Sequence, residues 1–145
     1  VLRGTIDDEG PNLPAGKIAI NEKTDRTKGF VIDADPVRLK EVFRNVLHNA
    51  IDAVHADTGI IEITTDVKKD MVSVLIKDNG EGIASKDLKN VFNPFFTTKA
   101  KGMGLGLAVS KQVVVFHGGS ITLKSVKGNG TTVEVSLPVQ RQKNE

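Results

Sequence analysis

Residues with the alternation or the β-branched composition of strands occur in short segments separated by turn-forming residues. These segments cover residues 17–21, 30–33, 60–67, 71–78, 120–126 and 131–137. A three-residue turn joins the third segment to the fourth, and a glycine-containing turn over 127–130 joins the fifth to the sixth, so each of these pairs predicts a hairpin. The pattern therefore predicts six strands, four of which pair in hairpins.

Two longer segments have helical character. Asp35 followed by Pro36 combines a capping carboxylate with a proline at the first helical position, so a helix should begin there and run to about Val54. Its apolar residues cover one broad arc, and its polar residues occupy the other side. The segment 105–116 is apolar almost all round, which predicts a second, well-buried helix that the turn at 117–119 ends.

The predicted elements follow the order ββαββ, loop, αββ, with few βαβ crossovers. This order favours a two-layer α/β sandwich in which a mixed, mostly antiparallel sheet carries the helices on one face. We assign residues 17–138 to this domain, 1–16 to an N-terminal loop or a connection from an upstream domain, and 139–145 to a polar tail. The loop over about 84–101 should act as a flexible lid.

Two glycine clusters flank this lid: Gly80 with Gly82 on one side, and Gly102, Gly104 and Gly106 on the other. Within the lid, residues 85–91 can form a short helix that Pro94 ends. Glycine is favoured where a backbone approaches a ligand, and the second cluster leads into a helix whose unpaired N–H groups suit a phosphate. Asp78 would repel a phosphate but can accept hydrogen bonds from an amine. The pattern therefore predicts a nucleotide with its base at Asp78 and its phosphates at 102–106.

Composition narrows the possible classes of protein. The chain has 145 residues, 39% of them hydrophobic, which suits one domain with a core, and it lacks the run of about 18 apolar residues that a membrane helix needs. Its 20 basic and 18 acidic residues are interspersed, so we expect no nucleic-acid partner. The absence of cysteine excludes thiol chemistry and is compatible with a cytoplasmic location. Because the chain begins with Val1, we interpret it as a piece of a longer polypeptide, whose membrane anchoring the sequence leaves open.

Two common phosphate-binding motifs are excluded by their spacing. The dinucleotide fingerprint needs two residues between its second and third glycines, whereas Gly104 and Gly106 have one between them, and no strand precedes them. The Walker pattern fails because the segment 10–17 has five residues between its glycines and continues with Ile18 instead of Ser or Thr. The chain therefore has neither a Rossmann nor a P-loop site.

Five segments, in this order, resemble the sequence boxes of the ATP-binding catalytic domain of sensor histidine kinases, within the GHKL ATPase superfamily. They are NVLHNAIDA (45–53), DNGEG (78–82), FNPFFTTK (92–99), GMGLGL (102–107) and GNGTTVEVSLP (128–138). Any one box alone would be weak evidence, but five in the family's order are specific. The resemblance implies the Bergerat fold, with ATP and Mg²⁺ as cofactors.

The resemblance implies that the chain is the catalytic domain of an ATP-dependent protein histidine kinase. It would donate the γ-phosphate of Mg-ATP to a histidine on a separate helical dimerisation and phosphoacceptor domain of the parent protein, in bacterial two-component signal transduction. A response regulator would be a partner of the complete kinase. None of His48, His55 and His117 is followed by the acidic residue that typically adjoins the acceptor, so the acceptor should lie outside this chain. We expect this chain to be monomeric and its parent to be a homodimer.

The resemblance also implies roles for single residues. Asn49 would ligate Mg²⁺, and Asn45, one turn earlier, would support it. Asp78 would accept a hydrogen bond from the adenine N6 amine, assisted by Thr131, whereas guanine has a carbonyl at that place. The implied catalytic residues are Asn45, Asn49 and Lys99. The residues implied to contact the nucleotide are Asn49, Asp52, Asp78, Gly80, Gly82, Ile83, Thr98, Lys99, Lys101, Gly102, Met103, Gly104, Leu105, Gly106, Leu107 and Thr131.

Each of these residues also has an ordinary structural interpretation. Two asparagines on a helix are typical of a solvated face. An aspartate at the end of a strand, such as Asp78, is typical of a turn. A threonine such as Thr131 is an ordinary strand residue. Lys99 or Lys101 would contact the β- or γ-phosphate. The alternative is that both are solvated lysines of a surface loop. The presence of all five boxes favours the functional interpretation.

The lid contains three closely spaced aromatic residues, Phe92, Phe95 and Phe96. They either anchor the lid in the domain or form a docking patch for another domain. The family uses this region to contact the helical dimerisation domain. We therefore expect at least one ring to serve as a docking contact.

Two residues depart from the pattern of related proteins. Asn45 stands where hydrolytic relatives, such as the topoisomerase and MutL ATPases, have a glutamate that activates water, so transfer to a protein acceptor is favoured over hydrolysis. Asp52 stands where many histidine kinases have lysine, so it would tune the metal site. A separate metal site formed by His48, Asp52 and His55 on one helix face is not favoured.

Two other functions remain open. The chain could be an ATP-sensing interaction domain that transfers no phosphate, although an intact Asn49 and glycine cluster argue against this. It could also act on protein serine, as anti-sigma kinases do. The three functions share one nucleotide site and differ in the acceptor.

Overall fold

Seven strands and three helices form the part of the chain that the computed structural model describes, which comprises residues 19–23, 30–99 and 103–141. The strands are β1 (Ala19–Lys23), β2 (Phe30–Val31), β3 (Ile60–Lys68), β4 (Met71–Asp78), β5 (Ser120–Ser125), β6 (Thr131–Pro138) and β7 (Gln140–Arg141). The helices are α1 (Pro36–Ala53), α2 (Ser85–Leu88) and α3 (Gly106–Phe116). The predicted loop over 1–16, the start of the predicted strand over 17–21, and the predicted site residues Lys101 and Gly102 lie outside the described residues.

Five strands form one sheet in the order β1-β3-β4-β6-β5. β1 runs parallel to β3, and the other neighbours are antiparallel. α1 packs against β4 and α3, and α3 packs against β5 and β6. The predicted two-layer arrangement, a mixed and mostly antiparallel sheet with helices on one face, is therefore confirmed. The turn predicted over 68–70 contains only Lys69 and Asp70, because Lys68 still pairs with Met71.

β2 and β7 form a separate antiparallel pair, so the strand predicted over 30–33 is shorter and does not join the main sheet. The polar tail predicted over 139–145 also differs at its start. Val139 is buried, and its N–H donates a hydrogen bond to the carbonyl oxygen of Asp70 over 2.8 Å. Burial of this apolar side chain holds the following residues against β2.

The start of α1 is fixed by Asp35, as predicted. Its Oδ1 accepts hydrogen bonds from the backbone N–H groups of Val37 and Arg38 over 3.0 and 3.2 Å. The apolar face of α1 is buried: Leu39, Val42, Phe43, Val46, Leu47, Ala50 and Ile51. Full burial of one such aliphatic side chain stabilises the fold by about 1.5–3 kcal/mol. This face therefore holds α1 on the sheet and fixes the direction in which its polar residues point.

α3 is less buried than its composition predicts. Its buried residues are Ala108, Ser110, Val113 and Val114. Val109, Val115 and Phe116 have exposed fractions of 42%, 55% and 84%, because α1 and the sheet cover only one side of the helix. Across the described residues, no helix combines the length and the apolar character needed to cross a bilayer.

α2 is also shorter than the helix predicted over 85–91. It ends at Leu88, and residues 89–92 form turns, so the helix stops before it reaches Pro94. Val91 in these turns is buried.

Candidate functional site

A cavity of about 480 Å³ lies between α1, the sheet and the segment that leads into α3. Predicted site residues that line it are Asn49, Asp52, Asp78, Gly82, Ile83, Thr98, Lys99, Met103, Gly104, Leu105, Gly106, Leu107 and Thr131. Asn45 and Gly80 were also predicted as site residues, and neither lines the cavity. The fold thus brings residues of all five sequence boxes to one cavity, and the box at 102–107 contributes most completely.

Sequence reasoning missed ten lining residues, most of them apolar. The lining residues not predicted are Val46, Ala50, Ala53, Ile76, Glu81, Val91, Phe96, Thr97, Leu123 and Val133. Ile76 lies two positions before Asp78 on β4, and Val133 lies two positions after Thr131 on β6. Because side chains two apart share one face of a strand, this periodicity was the signal that could have identified them. The resulting surface, apolar with a few polar groups, suits a flat heterocycle.

Asp78 is a buried carboxylate at the end of β4, with an exposed fraction of 5%. Its Oδ1 accepts a hydrogen bond from the N–H of Gly80 over 2.8 Å. Burial raises the pKa of this carboxyl above its ordinary value, and backbone hydrogen bonds from Gly80 and Thr131 oppose the rise. Asp78 also lies directly opposite Thr131 in the pairing of β4 with β6, so the two side chains share one face of the sheet.

Asn49 and Asp52 project from the same side of α1, three residues apart, and both contact Lys99. The ammonium of Lys99 lies 2.9 Å from Asn49 Oδ1 and 2.8 Å from Asp52 Oδ2. The ion pair is partly solvated, since the side chains of Lys99 and Asp52 are 40% and 52% exposed. Two oxygens of α1 therefore hold a cation at the wall of the cavity.

Asn45 points at α3 and not into the cavity. Its Nδ2 donates hydrogen bonds to the carbonyl oxygen of Gly106 over 3.3 Å and to Ser110 Oγ over 3.4 Å. These bonds join the middle of α1 to the first turns of α3. Asn45 thereby fixes the position of the helix end that lines the cavity.

The N-terminal end of α3 opens onto the cavity, where Leu105, Gly106 and Leu107 line the wall. Among the described residues, none provides a side-chain cap at Leu105, so backbone N–H groups of the first turn are left for a ligand. Gly104 has a φ of 70°, and a Cβ at this position would lie 2.4 Å from the carbonyl oxygen of Phe96. Only glycine fits this close turn. A helix end of this kind, with a positive dipole end and no side-chain cap, has the groups that an anion requires.

Gly80 has a structural role at the other glycine cluster. A Cβ at Gly80 would lie 2.4 Å from the carbonyl oxygen of Ala53, and the same carbonyl accepts a hydrogen bond from Glu81 N over 3.1 Å. The loop after β4 is therefore fastened to the end of α1. This contact explains why the third position of the box needs glycine, although Gly80 does not line the cavity.

The three phenylalanines of the lid have different environments. Phe92 packs against the core, with the ammonium of Lys111 5.3 Å from the centre of its ring. Phe96 lines the cavity. Phe95 points outward with an exposed fraction of 73% and a φ of 66°, which is rare for a bulky residue. Phe92 and Phe96 therefore pack within the domain, whereas Phe95 is the ring whose exposure leaves the docking alternative open.

The side chains of His48, Asp52 and His55 are not grouped as a metal site in the described part of the chain. Within the described ranges, no three or more His, Cys, Asp or Glu side chains are grouped so that they could hold a metal ion. Nδ1 of His55 instead lies 3.5 Å from the backbone N–H of Asp57. The oxygens of Asn49 and Asp52 are the cation-binding groups that the structure places at the cavity.

Comparison with known proteins adds independent information. Residues 34–141 match the family described as histidine kinase-, DNA gyrase B- and HSP90-like ATPase. The chain is 44% identical over 108 residues to the sensor histidine kinase ZraS of Escherichia coli (strain K12), covering 74% of this chain and 23% of ZraS. It is 33% identical over 129 residues to sporulation kinase C of Bacillus subtilis (strain 168), covering 89% of this chain and 30% of that protein.

Among solved structures, the fold is similar to the catalytic domain of the histidine kinase ThkA. The TM-score is 0.83 at 29% identity, and the match covers 94% of this chain and 89% of that chain. The chain thus spans about a quarter of the length of ZraS, 23%, but nearly the whole of the ThkA domain. The similarity is to one domain of longer proteins.

Proposed function

Because the chain belongs to the histidine kinase-, DNA gyrase B- and HSP90-like ATPase family, as its five sequence boxes predicted, we propose that it is the ATP-binding catalytic domain of a sensor histidine kinase. It binds Mg-ATP and donates the γ-phosphate to a histidine on a separate helical dimerisation and phosphoacceptor domain. The names of ZraS, sporulation kinase C and ThkA support this assignment. One observation carries it: a single cavity is lined by a buried carboxylate, a helix N-terminus and two oxygens that hold a cation.

The buried carboxylate suits the base of the nucleotide. Asp78 accepts a hydrogen bond from the N6 amine of adenine, and Ile76 and Val133 provide apolar surface for the ring. Guanine has a carbonyl in place of this amine, and that oxygen would face the carboxylate. ATP is therefore favoured over GTP.

The other part of the cavity suits the phosphates. Backbone N–H groups of the first turn of α3 bind phosphate oxygens with the help of the helix dipole. Asn45 contributes by holding this helix end in place through its bond to Gly106. Phosphoryl transfer needs chiefly alignment of the reacting groups and stabilisation of charge. The alignment comes from the rigidly held N–H groups at the start of α3.

The donor atoms around Lys99 fit Mg²⁺. The ammonium of Lys99 is a stand-in cation, because it occupies the place where Asn49 Oδ1 and Asp52 Oδ2 converge. Mg²⁺ prefers oxygen ligands and keeps several waters and phosphate oxygens, so two protein oxygens suffice. Asn49 and Asp52 would hold the ion, which neutralises charge on the phosphates when bound. With the ion held there, the ammonium of Lys99 would be available to contact a phosphate oxygen.

Transfer to a protein acceptor is favoured over hydrolysis. Asn45 cannot take a proton from water, and its amide is engaged with Gly106 and Ser110 of α3. The acceptor reaches the γ-phosphate from the partner domain. The exposed Phe95 of the lid is the proposed contact with that domain.

We assign the domain to the cytoplasm, where ATP is available. The parent protein is proposed to be a homodimer that passes its phosphate to a response regulator, whereas this chain alone is monomeric. These assignments depend on the proposed catalytic role.

The function is tested by incubating the purified chain with Mg-ATP and the helical phosphoacceptor fragment of its parent. Our proposal expects an acid-labile, base-stable phosphate on that fragment, the signature of phosphohistidine. An acid-stable phosphoester on a partner would instead indicate a serine kinase. ATP binding without labelled protein would indicate an ATP-sensing domain, and stoichiometric release of phosphate to water would contradict the kinase assignment.

A further inference from the structure

The hydroxyl of Ser125 has three close hydrogen-bond partners behind the wall of the cavity. The N–H of Ile83 lies 2.8 Å from Ser125 Oγ, the carbonyl oxygen of Gly130 lies 2.9 Å from it, and Thr131 Oγ1 lies 2.8 Å from it. Ser125 is the last residue of β5 and pairs with Thr131 on β6, which in turn pairs with Asp78 on β4. Ser125, Thr131 and Asp78 therefore form a row across three strands. Thr131 and Asp78 line the cavity.

The chemistry of these partners fixes the direction of each hydrogen bond. The N–H of Ile83 can only donate, and the carbonyl of Gly130 can only accept. The single proton of Ser125 therefore goes to Gly130, and the proton in the contact with Thr131 must come from Thr131. In the reverse assignment, a lone pair of Ser125 would face the carbonyl oxygen at 2.9 Å without a proton between them.

Thr131 consequently has no proton left for a ligand. Its hydroxyl donates to Ser125, so it can offer only lone pairs to the cavity. Asp78 beside it also offers lone pairs when ionised. The part of the wall formed by these two residues therefore consists of hydrogen-bond acceptors.

We propose that Ser125 is a positioning residue that sets base specificity, because it holds the Thr131 hydroxyl as an acceptor facing a ligand's exocyclic amine. In a purine with a carbonyl in place of that amine, the carbonyl oxygen would face the lone pairs of Thr131 and Asp78, so this purine would bind more weakly. The inference rests on the proposed function, since it takes the ligand to be a purine nucleotide. It adds a residue outside the cavity lining that contributes to the preference for adenine.

The test compares ATP with ITP, whose base has a carbonyl where adenine has the amine. Titration calorimetry gives the ratio of the two dissociation constants for each variant, so a general loss of affinity cancels. In Ser125→Ala, the hydroxyl of Thr131 can turn and donate to the carbonyl. We expect the preference for ATP over ITP to narrow by roughly fivefold to tenfold, which is the contribution of one hydrogen bond. Ser125→Thr keeps the acceptor and should retain the wild-type ratio.

A double-mutant cycle separates this role from a merely structural one. Thr131→Val removes the hydroxyl, so adding Ser125→Ala in that background should leave the ratio unchanged. If the ratio narrows equally without the Thr131 hydroxyl, the effect passes through the loop at Ile83 and the inference is wrong. An unchanged ratio in Ser125→Ala itself also overturns it.

Two further results keep the outcome interpretable. If Ser125→Ala does not fold, Ser125→Cys carries the same test, because a thiol is a poor acceptor of similar size, and a wild-type ratio in that variant contradicts the inference. If wild type binds neither nucleotide, the proposed function fails. If wild type prefers ATP over ITP and the Ser125 variants show the same ratio, the inference about Ser125 is wrong while the proposed function stands.

Discussion

Lys99 donates a hydrogen bond to Asn49 Oδ1 over 2.9 Å, so the lid is tied to α1 through the oxygen that we propose as a ligand of Mg²⁺. Asp52 shares the same ammonium. A lysine ammonium and a metal ion cannot occupy this place together. Loading of the site with Mg-nucleotide therefore requires the Lys99 ammonium to leave Asn49 Oδ1.

The first prediction concerns this lysine. Lys99→Met keeps much of the side-chain length and removes the charge. We expect the affinity for Mg-ATP, measured by calorimetry, to fall roughly tenfold, because a charge-assisted bond to phosphate is lost. Lys68→Met is the matched control, since Lys68 is exposed at the end of β3 far from Asp78. Equal affinities in Lys99→Met and wild type would contradict a phosphate contact.

The second prediction concerns Asn49. Asn49→Ala should abolish measurable binding of Mg-ATP, because the metal loses its ligand on α1. Asn49→Asp keeps an oxygen at the same place and should retain binding. Chelation of Mg²⁺ should bring wild type down to the affinity of Asn49→Ala. If Asn49→Ala binds Mg-ATP as tightly as wild type in calorimetry, the assigned metal role is incorrect.

The third prediction concerns pH and Asp78. Burial raises the pKa of this carboxyl above its ordinary value of 3.8, although hydrogen bonds from Gly80 and Thr131 lower it. The folded state thus binds the proton more tightly than the unfolded state. The stability contributed by Asp78 is fully present below the unfolded pKa and is lost as pH rises through the folded pKa.

Chemical unfolding of the nucleotide-free chain tests this sign. The free energy of unfolding of wild type should decline relative to that of Asp78→Asn as pH rises from about 4 to about 7. Other titrating groups are common to both chains, so the difference isolates Asp78. If the free energies of unfolding of the two chains differ by a constant amount over this range, burial does not raise the pKa of Asp78.

The fourth prediction compares two glycines with positive φ. Gly104→Ala places a methyl group against the carbonyl of Phe96, whereas Gly128→Ala meets nothing within 4 Å. Both substitutions should cost about 1 kcal/mol of stability for the backbone strain. Gly104→Ala should cost more and should also weaken ATP binding, because the turn into α3 shifts. Thermal unfolding and calorimetry give both quantities, and identical behaviour of the two variants would count against a packed turn at Gly104.

The fifth prediction concerns docking. Phe95→Ala should reduce phosphate transfer to the helical fragment and leave the affinity for ATP unchanged, because this ring points away from the cavity. Phe116→Ala is the control, since Phe116 is 84% exposed at the far end of α3. Rates of transfer under saturating ATP distinguish the variants. If the rate of transfer falls equally in Phe95→Ala and Phe116→Ala, or does not fall in Phe95→Ala, Phe95 is not part of the proposed contact.

The sequence was sufficient for features that local patterns determine. The cap at Asp35, the bounds of α1 and the hairpins β3-β4 and β5-β6 follow from capping chemistry and alternation, and the structure confirms them. Features that depend on distant partners were not predictable in this way. β2 pairs with β7 far along the chain, and α3 is exposed on the side that α1 and the sheet leave uncovered.

The site shows the same division. Asp78 and the glycines leading into α3 were predicted from residue type and spacing, whereas Asn49 was predicted only through the resemblance of the five boxes. Asp78, Asn49, Gly104 and Gly106 all line the cavity. Ser125 gave no signal, because a serine at the end of a strand is ordinary until Ile83, Gly130 and Thr131 are seen around its hydroxyl. The contact of Lys99 with Asn49 and Asp52 likewise joins residues that are 50 and 47 positions apart, which local patterns do not reveal.

The central claim is that one cavity holds adenine at Asp78 and a magnesium-bound triphosphate at the start of α3. A crystal structure of the chain with a non-hydrolysable ATP analogue and Mg²⁺ tests it most directly. We predict the adenine amine within hydrogen-bond distance of Asp78, the metal bound to Asn49, and Lys99 moved from Asn49 to a phosphate. An empty cavity, or a nucleotide bound elsewhere with Lys99 still on Asn49, would contradict the account.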